Sequence, residues 1–245
     1  MVVKDIDIYI KNYTTLKRDF KIRKSKNYVE FVTDNGRRLF YNKSTTFSKG
    51  LFLFRMVNSD IKKFIEENGS VEPYQDLPVN YYNKNYDVTT NKTIGIDINN
   101  AYWSVAYLKG YISEKTYKRG LSNKDLKSVR LSTLSSLGKE KVYKVYEKGK
   151  YKHDEVHKYN KTLQDIYNDI RFCTYAVMYE CAELLQDDFY CWKTDCINFK
   201  DTPKNREVVK ELIESYGLEC KIEEFKISKR LQKFNSNFEK GVDKS

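Results

Sequence analysis

The stretch Ile94-Gly95-Ile96-Asp97-Ile98-Asn99-Asn100-Ala101-Tyr102-Trp103-Ser104 constrains this chain more than any other. Its first half places β-branched residues around a glycine, the pattern of a buried strand that a neighbouring backbone approaches closely. Asn99-Asn100 then turns the chain, and a helix runs to Lys109 and stops at Gly110. An Asp at the end of a buried strand, ahead of a tight turn and a helix, has two uses. It caps the helix, or it faces a metal ion or a phosphate. A cap needs nothing further, whereas a metal needs partners from elsewhere in the chain.

Composition narrows the partners. A net charge of +11 favours a polyanion, and 21 Tyr with 13 Phe supply faces on which bases stack. A lysine-rich coding bias accounts for the same charge without any such partner. The five cysteines (Cys173, Cys181, Cys191, Cys196, Cys220) form no Cys-x-x-Cys pair, and only His153 and His157 accompany them. That argues against structural zinc, so a metal here is held by carboxylates and is Mg2+ or Mn2+. The odd cysteine count, with no signal peptide, points to a reducing cytoplasm. No apolar run reaches the length of a membrane span.

Along the chain, residues 1–90 read as a small N-terminal β-rich or α+β region. Ile6, Ile8 and Ile10 alternate as in a strand, and Gly50-Leu51-Phe52-Leu53-Phe54 reads as another. Tyr28 to Tyr41 forms a hairpin turning at Asp34-Asn35-Gly36. Ser59 caps a helix from Asp60 to Asn68, ended by Gly69. The basic residues Lys17, Arg18, Lys21, Arg23, Lys24 and Lys26 track a phosphate backbone or form a solvated loop. Val71 to Lys92, with Pro73 and Pro78, is a polar connector.

Further on, Ser122-Asn123-Lys124-Asp125 opens a helix marked by Leu126, Val129, Leu134 and Leu137, closed by Gly138. Val142 to Lys152 is a basic hairpin turning at Lys148-Gly149. Leu163, Ile166, Ile170, Cys173, Val177, Cys181 and Leu184 mark a long amphipathic helix. Phe189 to Phe199 is a hairpin with Thr194-Asp195 at its tip. Pro203 starts a helix that Gly217 ends, and Leu218 to Phe225 is a strand. Residues 236–245 form a basic, frayed tail.

A strand with an Asp, a helix with a basic residue and a hairpin with an Asp at its tip make a meaningful order. Carboxylates on neighbouring strands hold two divalent ions about 3.5–4 Å apart, and a helix-borne cation grips a triphosphate. Asp97-Ile98-Asn99-Asn100-Ala101-Tyr102-Trp103-Ser104 resembles the first palm motif of family B DNA polymerases, D-x-x-S-L-Y-P-S. Asp97, Tyr102 and Ser104 fall in register, while Asn100, Ala101 and Trp103 depart. Arg130 to Gly138 resembles the second motif, K-x-x-x-N-S-x-Y-G. Arg130 stands for the Lys, Ser135 and Gly138 match, and Leu134 and Leu137 depart. Lys193-Thr194-Asp195-Cys196 resembles the third, D-T-D-S, and Ser228-Lys229-Arg230 faintly resembles the Lys-rich motif that contacts primer-template.

The resemblance covers residues 93–235. It implies an α+β fold with an antiparallel palm-like sheet covered by helices, and a palm-like nucleotidyltransferase domain over 91–235. It further implies Asp97 and Asp195 as catalytic metal ligands for Mg2+ or Mn2+, with the Ile98 carbonyl as a third. Tyr102 would gate the sugar, Arg130 and Ser135 would bind the nucleotide, and Lys193, Lys229 and Arg230 would contact nucleic acid. The expected partners are a DNA primer-template and dNTP, in the cytoplasm of a host cell if the chain is viral. Lys193 replaces the first Asp of the third motif, which places a cation beside the metals. No stretch corresponds to an exonuclease domain, and little chain follows the palm for a thumb, so a second chain is expected to supply those functions. Two functions follow from the resemblance: primer extension by two-metal deoxynucleotidyl transfer, or a catalytically degenerate palm that binds DNA as an accessory module. A third reading, an unrelated basic α/β nucleic-acid-binding protein, expects Asp97 and Asp195 to lie far apart.

Overall fold

A computed structural model of the chain describes residues 6–24, 28–41, 45–72, 77–157 and 160–225. Lys26, Pro73, Lys229, Arg230 and the tail 236–245 lie outside those residues. The elements in order are α1 (Ile6–Thr15), β1 (Phe20–Lys24), β2 (Tyr28–Thr33), β3 (Gly36–Tyr41), α2 (Thr45–Asn68) and β4 (Asn80–Tyr82). Next come β5 (Thr93–Ile98), α3 (Ala101–Leu108), α4 (Glu114–Leu121), α5 (Lys127–Ser135), β6 (Lys141–Glu147) and β7 (Lys150–His157). The chain continues through α6 (Lys161–Leu185), β8 (Phe189–Lys193), β9 (Cys196–Lys200), α7 (Pro203–Ser215) and β10 (Cys220–Glu224). Among the described residues this is an α+β fold with seven α-helices and two antiparallel five-stranded sheets.

The elements form two compact units, Met1–Gln75 with Tyr102–Arg171, and Asp76–Ala101 with Phe172–Ser245. The units interleave along the chain, whereas the sequence reading cuts it once near residue 90.

In the first unit the strand order is β3-β2-β1-β6-β7. The 28–41 hairpin is present, and Gly36 at φ +112° relieves the turn that any Cβ would strain. The 148–149 hairpin is present too, with Lys148 and Gly149 both at positive φ. Helix α1 lays Tyr9, Ile10 and Tyr13 on a core of Ile6, Phe20, Ile22, Val29, Phe31 and Phe40. This corrects the strand expected at Ile6-Ile8-Ile10. Ile6, Tyr9, Ile10 and Tyr13 follow i, i+3, i+4, i+7, and that stripe leaves Ile8 exposed. Gly50 to Phe54 is likewise helical, inside α2, because Leu53, Val57 and Ile61 share one buried face.

The helix expected after Ser122 also differs. Ser122 ends α4 rather than opening a helix, and Asn123 caps a short 3-10 turn, Lys124–Leu126, that leads into α5. Asp60 of α2 accepts from the Ser113 amide and hydroxyl, both at 2.8 Å, and so fixes the start of α4. Glu30 is buried, yet it meets Arg23, Arg37 and the Tyr143 hydroxyl, which answer its charge and lone pairs.

In the second unit the order is β10-β5-β9-β8-β4. Register puts Ile96, Ile197 and Trp192 on one face. On that face α7 packs against β5 and β10, and Tyr179 of α6 meets Trp192 edge-on. Thr202 caps α7 and Pro203 begins it, as expected. Asp201, just before that cap, pairs with Lys92 and Arg206, and these contacts hold its carboxyl below the ordinary carboxylate range. A depressed carboxylate contributes stability above its unfolded pKa and loses it as pH falls through the folded value. Asp201→Asn is therefore expected to lower stability to urea at pH 7. That deficit should close below about pH 4, and one constant across pH would refute the assignment.

Candidate active site

The opposite face of the second sheet is polar. Asp97 on β5 lies directly across from Cys196 on β9 and from Lys221 on β10, and Lys193 on β8 lies across from Cys196. Directly opposed residues of antiparallel strands point to the same face, so these four side chains share one end of it. Gly95 occupies the next position along. A Cβ there would come within 3.0 Å of the Asn198 amide oxygen and 3.3 Å of the Cys196 sulfur. Glycine is what lets β5 and β9 pair this tightly. Farther along, Tyr86, Val88, Tyr190 and Cys191 cover the face with an apolar cluster.

Two turns set the carboxylates. Asn100 takes φ +52° between β5 and α3, a conformation that Asn tolerates well. Thr194 takes φ +58° at the tip of the β8–β9 hairpin. The Ile98 amide donates to the Asp195 carbonyl at 2.9 Å, so the hairpin tip lies against the end of β5. The backbone of Asp195 thus lies against that of Ile98, the residue after Asp97, although the two stretches are far apart in sequence.

Glu223, one residue beyond Ile222 on β10, joins them. One donor atom each from Asp97, Cys196 and Glu223 lies within 4.8 Å of the others. Lys221 Nζ stands 3.3 Å from Asp97 Oδ2 and also contacts Glu223 Oε1. Those two carboxylates in turn raise the Lys221 ammonium, Glu223 more than Asp97. Cys196 is pushed up to about 12, first by burial and then by the charges of Asp97, Glu223 and Asp195. Iodoacetamide at pH 8 is expected to modify Cys196 at least about a hundredfold more slowly than a free cysteine. Peptide mapping reads the rate, and prompt labelling would contradict the acidic surroundings.

The donor chemistry fits a hard divalent ion. The carboxylate oxygens of Asp97 and Glu223 suit Mg2+ or Mn2+. No protein-family model and no curated protein matches this chain.

The remaining sequence candidates are dispersed. Tyr102 and Ser135 belong to the first unit, in α3 and at the end of α5, where the Ser135 hydroxyl donates to the Ser132 carbonyl at 3.3 Å. Arg130, also in the first unit, is 6% exposed, and its guanidinium donates to the Gly120 carbonyl. Burial lowers its pKa. Sequence reasoning missed Glu223, Lys221 and Cys196. Lys221-Ile222-Glu223 does alternate as a strand should, but only the β10–β5 register shows that both charged residues face Asp97.

Proposed function

We propose that the second unit is the palm of a family-B-like DNA polymerase, extending a primer by two-metal deoxynucleotidyl transfer. The observation that carries the reading is the pairing of β5 with β9. It sets Asp97 beside the hairpin tip that bears Asp195, on the face opposite α6 and α7. Asp97, Asp195 and the Ile98 carbonyl hold the ions, and Glu223 adds a third carboxylate from the edge strand. Bound there, Mg2+ or Mn2+ supplies Lewis-acid activation of a 3′-hydroxyl and neutralises the leaving pyrophosphate.

The chain's own groups do the rest. Lys193, across from Cys196, offers an ammonium to a phosphate at the flank of the site. The sequence resemblance also assigns Tyr102 to the sugar and Arg130 and Ser135 to the nucleotide; these three belong to the first unit, where the Arg130 guanidinium donates to the Gly120 carbonyl. The sequence resemblance assigns Lys229 and Arg230 to the primer-template. The test is incorporation of labelled dNTP onto a primer-template by the purified chain, with Mg2+ or Mn2+ and without.

One observation favours a second reading, a palm that binds DNA without chemistry. Lys193 stands where the third motif has its first Asp, so a cation replaces a ligand. Calorimetry separates the two readings. DNA binding indifferent to Mg2+ and to Asp97→Ala belongs to the binding module.

A further inference from the structure

The ammonium of Lys221 sits between two carboxylates of the proposed metal site, Asp97 and Glu223. Register sets Lys221 directly across from Asp97, and Glu223 follows it on the same face of the edge strand β10. Its Nζ touches both carboxylates, at 3.3 Å from Asp97 Oδ2 and in hydrogen-bond contact with Glu223 Oε1. The Asp97 and Glu223 carboxylates are close neighbours here, and uncompensated like charges repel one another.

A cation at that point holds the carboxylates together without a metal. Yet the Lys221 side chain is 51% exposed. Its flexible four-carbon stem can swing the ammonium into water at little cost. Mg2+ sits about 2.0–2.1 Å from its oxygens, too close for an ammonium to keep its place on the same atoms.

We propose that Lys221 is a resident counter-ion of the site, seated on Asp97 and Glu223 until a divalent ion displaces it. The inference rests on the two-metal reading above. It makes metal affinity a competition between one mobile positive charge and one divalent ion. Apo protein keeps a preformed cradle, and metal enters only by exchange.

The test titrates Mn2+ into the full chain, into Lys221→Met and into Lys221→Arg, with free Mn2+ read by electron paramagnetic resonance. Lys221→Met removes the competing charge and keeps the stem, so it should bind Mn2+ about tenfold more tightly than the unaltered chain. Lys221→Arg keeps the charge and should bind nearly as the unaltered chain does. Equal or weaker binding by Lys221→Met overturns the inference alone. Absence of Mn2+ binding in all three overturns the two-metal reading itself. Thermal unfolding supplies the second measurement. In EDTA, Lys221→Met should melt below the unaltered chain, and saturating Mn2+ should remove that deficit. A deficit that persists in Mn2+ marks Lys221 as merely structural and overturns the exchange.

Discussion

Asp97→Asn and Asp195→Asn are each expected to lower nucleotide incorporation at least about a hundredfold, since each removes a carboxylate charge from the proposed metal cradle. Asparagine keeps the size and one carbonyl oxygen, so the fold should tolerate both changes. The Ile98–Asp195 contact is made by the backbone and survives either substitution. The losses should be strongly non-additive, because the two carboxylates act on the same ions. Asp97→Asn also removes one carboxylate charge from the proposed cradle, so Mn2+ affinity should fall as well, even though Lys221 loses one of its partners. Steady-state incorporation beside a Mn2+ titration checks this. A variant that folds, loses Mn2+ and still incorporates nucleotide would exclude Asp97 from the chemistry.

Trp192→Ala is the substitution expected to cost the most stability, about 3–5 kcal/mol. Trp192 is 1% exposed on the helix-covered face of the second sheet. Tyr81 stacks on it at 5.0 Å between ring centroids, Phe189 lies at 5.8 Å and Tyr179 at 6.4 Å. Its indole N–H donates to the Pro78 carbonyl at 3.1 Å, and so ties down the segment that enters β4. Alanine would leave a cavity among three rings and an unanswered carbonyl. Against a typical net stability of about 5–15 kcal/mol, the loss is a large share. Urea unfolding measures it, and a cost below about 1 kcal/mol would mean the site collapses without penalty.

The elements that announce themselves in sequence are those fixed by local chemistry. Lys148-Gly149 and the turn before Gly36 dictate their hairpins through positive φ, and Pro203 after Thr202 dictates the start of α7. Where a short window supports two periods, tertiary burial decides. Ile6-Ile8-Ile10 alternates, but Tyr9 and Tyr13 complete a helical stripe that the first core takes up. The pairing of β5 with β9 and β10 comes from strands distant in sequence, and no local rule supplies their register. That is why Asp97 and Asp195 were legible as candidates while Glu223 and Lys221 were not. The interleaving of the two units was hidden for the same reason. Chain order suggests a cut at the connector, whereas contacts place Tyr102 to Arg171 in the first unit.

The proposed nucleotidyl-transfer centre lies at the β5–β9 end of the second sheet. Its most direct test is incorporation of labelled dNTP by the purified chain on a primer-template with Mn2+. The prediction is product that requires the divalent ion and disappears in Asp195→Asn. A chain that binds DNA and Mn2+ yet forms no product, or forms it equally well as Asp195→Asn, contradicts the claim.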